Sequence, residues 1–346
     1  MSVNERPGVY SSYEVSSALY GNGGGRAVGV AACAAGGTKG AVQQVSNYTA
    51  AAAAYGPESN LTKLIKILLQ NGVSAVYAVP VAVNGTAGKP EYTAAFTALM
   101  EIPEIGYMIC DSREQEIHGA MLSAISGGDE KSKYRIGIAE AIGDVTALCN
   151  HAAALNSERM VLMAGCEKGA TAGSTAAAVA GVLSAQTDPA LPLGGAELLG
   201  LGAPEQKFSD NDVNTLVQSG VSPVESLGET VCVIRGVTTR TKTGGVNDRT
   251  WRDLTTILIV DTVLPGIRDS LRARFARAKN TAQSRGAIRT QVVIELERYR
   301  TAEIIDGYSQ VAVQADESDP AVCCVSFAFQ VAHGLNRIEL VAHITV

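Results

Sequence analysis

The chain has 346 residues, of which 46% are hydrophobic, 18% charged and 5% aromatic, and it carries a net charge of −6 at neutral pH. That length and apolar share allow two ordinary domains with full cores, and the shortage of charge beside abundant Ala and Gly points to closely packed small-residue helices rather than disorder. The acidic balance argues against wholesale nucleic-acid binding, and the lack of an apolar run of about 18 residues argues against a membrane-spanning helix.

Residues 1–10 lack the basic-then-apolar pattern of a secretory leader, so the protein is expected to be made and kept in the cytoplasm unless it leaves by cell lysis. Pro7 fixes its own φ and biases Arg6 away from helix, and Gly21-Asn22-Gly23-Gly24-Gly25 is a flexible hinge. Residues 1–25 are therefore expected to be an extended arm.

From residue 26 to about 201, short apolar strands alternate with helices. Strands are predicted near 27–33, 73–81, 105–110, 134–139 and 159–164. Helices are predicted around Leu61, Leu64, Ile65 and Leu68, then over 94–100, 114–125, 145–155 and 174–184. This alternation predicts βαβ units, with a mostly parallel sheet flanked by helices on both faces. Between 188 and 229 the periodicity fails among Pro189, Pro192, Gly194, Gly195, Gly200, Gly202 and Pro204, so a loop-rich connection is expected there. A short helix over 210–217 lies within it, capped by Ser209 or Asp210.

The rest of the chain reads as α+β. A strand is predicted over 231–239. Leu264, Ile267, Leu271, Phe275 and Ala278 form one helical stripe, and Ile288, Val292, Leu296 and Tyr299 form a second. Residues 308–313 and 322–331 alternate as strands, and so do 338–346, where Ile338, Leu340, Ile344 and Val346 share an apolar face with Ala342. Such a terminal strand needs a sheet to join, its own or a neighbour's. The expected division is an arm over 1–25, an α/β unit over 26–229, an α+β unit over 230–334 and a strand arm over 335–346.

Chemistry-bearing residues are sparse. The seven cysteines show no Cys-x-x-Cys spacing and read as buried free thiols. His118, His151, His333 and His343 have no histidine partner at helical spacing, so no metal is expected. Gly36-Gly37-Thr38-Lys39-Gly40 lacks the phosphate-loop ending, so no nucleotide cofactor is expected. Between residues 263 and 300 there are nine Lys/Arg against three Asp/Glu. That basic stretch is either a solvated face or a surface for an acidic partner.

Glu5-Arg6-Pro7-Gly8-Val9-Tyr10, Cys232-Val233-Ile234-Arg235-Gly236-Val237-Thr238-Thr239, Trp251-Arg252-Asp253-Leu254 and Ile259-Val260-Asp261-Thr262-Val263 carry a resemblance. In their order and spacing they resemble the contractile phage tail sheath family, as do the basic run 268–275 and Ile304-Ile305-Asp306-Gly307-Tyr308. The resemblance implies a subtilisin-like α/β unit without catalytic function. It also implies a C-terminal unit facing a tail tube, and terminal arms that hook into neighbouring subunits. Val3, Pro7, Val9, Tyr10, Ile338, Leu340, Ile344 and Val346 would then be inter-subunit residues, and Arg268, Arg272, Arg274, Arg277 and Lys279 would face the tube. Implied partners are further copies of the chain in a helical homopolymer, the tail tube protein, and baseplate and tail terminator proteins, with no nucleic acid and no membrane contact. The particle would be a virion or a phage tail-like bacteriocin.

Two alternatives are an inactive or cryptic subtilase-like hydrolase and another self-assembling shell protein. For the hydrolase, Asp111 at a strand end, His118 or His151, and Ser174 or Thr175 stand in the order of a subtilase triad. The paired-histidine motif and the proline after the nucleophile are absent, however, and a triad needs its members in mutual hydrogen-bond reach.

Overall fold

Eight uncharged, small or β-branched residues make β1 (Ala27–Ala34), a strand buried on both faces, as a central strand of a parallel sheet must be. The computed structural model describes residues 26–129, 134–319 and 321–335. After β1 come β2 (Gln43–Val45), α1 (Tyr48–Tyr55), α2 (Asn60–Gln70), β3 (Val76–Val83), α3 (Lys89–Met100), β4 (Ile105–Cys110) and α4 (Gln115–Asp129). They are followed by β5 (Ile136–Glu140), α5 (Val145–Leu155), β6 (Met160–Ala164), α6 (Ser174–Ala185), β7 (Glu197–Leu198), α7 (Asp210–Gln218), β8 (Val221–Leu227) and β9 (Thr230–Val233).

These strands form a nine-stranded sheet in the order β2-β3-β1-β4-β5-β6-β8-β9-β7. The central pairings from β3 to β8 are parallel, and β2, β9 and β7 are antiparallel at the edges. Alternate residues of one strand serve two cores. In β6, Val161 and Met163 pack toward α2 and α6, while Met160, Leu162 and Ala164 pack toward α3, α4 and α5. The α/β expectation of a mostly parallel sheet with helices on both faces therefore holds.

Residues 242–243 and 246–247 form a small hairpin of β10 (Lys242–Thr243) and β11 (Val246–Asn247). Then come α8 (Leu254–Phe275), α9 (Ala282–Thr301), β12 (Ile305–Ala315) and β13 (Cys323–Val331). The last two pair only with each other, antiparallel, among the described residues. Ile259, Val263 and Ile267 of α8 meet Val292, Leu296 and Tyr299 of α9, and the hairpin lays Tyr308, Val311, Val325, Phe327 and Phe329 on that core.

Several local expectations change. The connection over 188–229 contains β8, which sits fully inside the sheet beside β6; Ser222 and Pro223 hide it by breaking the apolar run. The strand expected over 231–239 ends at Val233, and β8 and β9 form a hairpin across residue 229. The helical stripe that begins at Leu264 belongs to a helix starting at Leu254, with Pro265 inside it. Ser209, not Asp210, caps α7, accepting from Asp212 N–H while Asp212 returns the bond. Cys110, Cys166 and Cys232 are buried, but Cys324 lies on the outer face of β13 and is exposed. The arm residues Val3, Pro7, Val9, Tyr10, Ile338, Leu340, Ile344 and Val346 lie outside the described residues.

Candidate functional site

The carboxyl ends of β4 and β5 meet the start of α6, which is where an open α/β sheet commonly binds ligands. Gly173 makes this possible: its φ is 85°, and a Cβ there would stand 2.2 Å from the Cys110 carbonyl oxygen. Glu140, at the end of β5, accepts from Thr175 N–H at 2.8 Å and pairs with Arg113 at 2.6 Å. The amino end of α6 and one guanidinium thus neutralise a buried carboxylate.

The three positions in triad order are engaged separately. Asp111 accepts from Cys33 N–H at 2.9 Å, from Asn60 Nδ2 at 2.8 Å and from the Tyr92 hydroxyl. His118 donates from Nε2 to the Ser112 carbonyl at 2.8 Å, so its Nδ1 accepts from His151 Nε2 at 3.0 Å. Burial holds His118 down to about 4 and also lowers His151, so both rings are neutral at pH 7. The Ser174 hydroxyl donates to the Thr171 carbonyl at 2.7 Å. No hydrogen bond joins Asp111, either histidine and Ser174 into a relay among the described residues. No three His, Cys, Asp or Glu side chains among the described residues gather as a metal would require.

The basic stretch is divided in its roles. Arg268, Arg272 and Arg274 are on the last turns of α8, and Arg277 and Lys279 are exposed in the turn leading to α9. Arg268 turns back to the body: it lies 5.7 Å from the Tyr134 ring centroid and donates to the Tyr134 hydroxyl at 3.1 Å. Arg272, Arg274, Arg277 and Lys279 have no ion-pair partner among the described residues. On α9, by contrast, Arg298 and Arg300 pair with Glu295 and Glu297, and Arg289 donates to the Val311 carbonyl.

An anchor that the sequence did not single out fixes α8. The Asp261 carboxylate is 1% exposed and pairs with Arg159 at the start of β6, with Arg26 further off at 4.0 Å. Burial pushes this carboxyl up from its ordinary value, against the pull of Arg159 and Arg26. In the sequence Asp261 stands out only as a member of the Ile259–Val263 motif. Its partners lie 235 and 102 residues away in the chain, a separation no local pattern reports. A polar node also ties the two helices: Ser270 Oγ donates to Glu295 at 2.7 Å, and Gln291 Nε2 donates to both.

Known proteins share this fold. Residues 246–345 match the family model of the phage tail sheath C-terminal domain. No curated protein matches the chain in sequence. Among solved structures, one chain of the anti-feeding prophage baseplate is 15% identical with a TM-score of 0.76, covering 99% of this chain and 100% of that one. The contracted helical sheath of the anti-feeding prophage is 14% identical with a TM-score of 0.72, covering 99% of both chains. The sheath tail protein of Desulfitobacterium hafniense is 11% identical with a TM-score of 0.70, covering 94% of this chain and 100% of that one. At such identities the likeness is one of fold.

Proposed function

We propose, from the match of residues 246–345 to the phage tail sheath C-terminal domain and from the fold that the whole chain shares with sheath proteins, that the protein is the structural subunit of a contractile tail sheath. The observation that carries this reading is the end-to-end match to a helical sheath in its contracted state. Subunits polymerise helically around a tail tube, and a change from a stretched to a compact lattice drives the tube through a target cell envelope. The energy is stored at folding and assembly, and rigid bodies turn while linked segments keep their neighbours connected.

The arms over 1–25 and 335–346 are kept as part of this proposal, as segments that reach other subunits, while the α/β unit expected to end at residue 229 takes in β9, which pairs with β8 in its sheet. Arg272, Arg274, Arg277 and Lys279 are assigned to an acidic tube surface, and Arg268 serves the body as well. Baseplate and terminator proteins cap the two ends of the polymer, and the particle assembles in the host cytoplasm and leaves on lysis. Neither nucleic acid nor membrane is a partner of this chain, and it has no catalytic role. Strand-end groups such as Asp111 and Ser174 support the fold, as their bonds to Cys33, Asn60, Tyr92 and Thr171 indicate.

Electron microscopy of the purified protein, with and without its tube protein, tests the reading. Regular hollow helical polymers are expected, longest with the tube present. Soluble monomers under all assembly conditions would reject it. Asp111→Ala, Ser174→Ala and Thr175→Ala should leave polymer length and contraction unchanged wherever the subunit still folds.

A further inference from the structure

Pro265 has no N–H to give to the Asp261 carbonyl four residues earlier, so α8 leaves one acceptor open in its own ladder. The molecule fills it from outside: Arg26 Nη2 donates to the Asp261 carbonyl at 2.7 Å. One residue on, the Thr262 carbonyl accepts from the Tyr299 hydroxyl of α9 at 3.3 Å. Gly266 allows that approach, because a Cβ there would lie 2.0 Å from the Tyr299 hydroxyl. The Pro265–Gly266 step is a joint completed by two outside donors. One comes from α9, and the other from the residue that directly follows the glycine run 21–25.

Arg26 is itself well seated. Its carbonyl accepts from Ser184 Oγ at 2.6 Å. Its stem crosses Gly106 of β4, where a Cβ would come within 2.5 Å of Arg26 Cδ. Beyond Asp261 the contacts continue: Asp261 holds Arg159, Arg159 lies 5.1 Å from the Tyr134 ring centroid, and Tyr134 holds Arg268. Arg26, Asp261, Arg159, Tyr134 and Arg268 thus form one contiguous set of contacts spanning the joint.

We propose that Arg26 clamps α8 at the Pro265–Gly266 step, so that displacing Arg26 lets the helix bend there and loosens the turns that follow the step. A shift of about 1 Å is enough to take a hydrogen bond out of its effective range. A proline step that loses its outside donor is a place where helices bend. A mechanical use of the clamp rests on the sheath reading, since only in a polymer would a neighbour pull on residues 1–25. The clamp itself is a property of the single subunit.

Hydrogen–deuterium exchange on the purified subunit tests the clamp. Arg26→Ala should speed exchange of the 266–275 amides about tenfold or more, leaving the β4 and β6 amides at their original rates. Adding Pro265→Ala to that variant restores the missing helical N–H and should bring protection back. Gly106→Ala, which crowds the Arg26 stem without touching α8, should reproduce the local loosening. Unchanged exchange in Arg26→Ala, uniform acceleration across the sheet, or failure of Pro265→Ala to rescue would each overturn the proposal. If the exchange pattern holds while the wild-type protein forms no sheath, the clamp stands and the sheath reading falls. If sheaths form without that pattern, the sheath reading stands and the clamp falls.

Discussion

Two residue-scale features govern how tightly the α/β body is specified. Gly173 is one: a side chain there would meet a backbone carbonyl at 2.2 Å and sit at a φ of 85°. Neither strain can be relieved by a rotamer change, so Gly173→Ala should destabilise by more than ~2 kcal/mol in urea unfolding, with a lowered midpoint and unchanged slope. The His118–His151 pair is the other. His118 is fully buried and its folded value is about 4, below the ordinary 6.5. Between those limits the unfolded chain takes up a proton that the folded chain refuses. The pair's contribution is therefore complete above pH 6.5 and is lost as pH falls toward 4, a loss on the order of 3 kcal/mol from His118. His118→Gln should be less stable at pH 7 yet show a shallower fall in stability between pH 6.5 and 4. Parallel pH profiles for the two proteins would show that some other group carries the acid sensitivity.

At the scale of elements, the informative one is the exposed end of α8. Arg268 serves Tyr134 as well as any partner, so reversing its charge mixes a local packing defect with a lost contact. Arg272 and Arg274 are the cleaner probes, being exposed on the same helix without ion-pair partners among the described residues. If they face a tube as proposed, each exposed pair with a tube carboxylate would contribute only about 0–1 kcal/mol, but repetition over a polymer would multiply the effect and make it salt-sensitive. Arg272→Glu with Arg274→Glu should impair assembly on the tube while tube-free polymers form normally. Equal damage to both would remove α8 from the tube interface. Elements differ in how far the sequence discloses them. The strand β4 and the helix α5 are legible to the residue, because one is a continuous apolar run and the other starts on Asp144, which caps it. The helix α1 is not, since its run of alanines has no polar face to mark a period. For α8 the apolar stripe begins only at Leu264, and the helical reading of Ile259–Val263 rests on the family resemblance alone. The exposure of the basic residues can be read from the sequence, whereas the buried Arg26–Asp261–Arg159 junction exists only after the chain has folded.

For the whole molecule, the open question is how one subunit holds the next, and the β12–β13 sheet supplies the physical argument. Its inner face packs Tyr308, Val325, Phe327 and Phe329 on α8 and α9, while Cys324, Ser326, Ala328 and Gln330 face outward. Two strands alone make a marginal sheet, and both long edges lack a partner strand among the described residues. The proposed arms would match these edges. Roughly four backbone hydrogen bonds gained at an edge contribute about 0.5–1.5 kcal/mol each, and each buried Ile or Leu adds roughly 1.5–3 kcal/mol. Ordering the arm offsets part of that gain. The remainder is modest for one contact, yet it suffices where every subunit is held at several points. If the proposed arm pairs as a strand, register would matter, because a one-residue slip would turn the alternate residues Ile338, Leu340, Ile344 and Val346 outward. Leu340→Pro removes one donor and disfavours the strand, and deletion of residues 1–10 removes the other arm's tip. Both variants should give folded, soluble subunits with unchanged circular dichroism that fail to form ordered sheaths. A mixture of wild type with an excess of either should yield shortened polymers, since each defective copy ends a row. Full-length, contractile sheaths from either variant alone would mean that the subunits are joined through the faces of the α/β body instead.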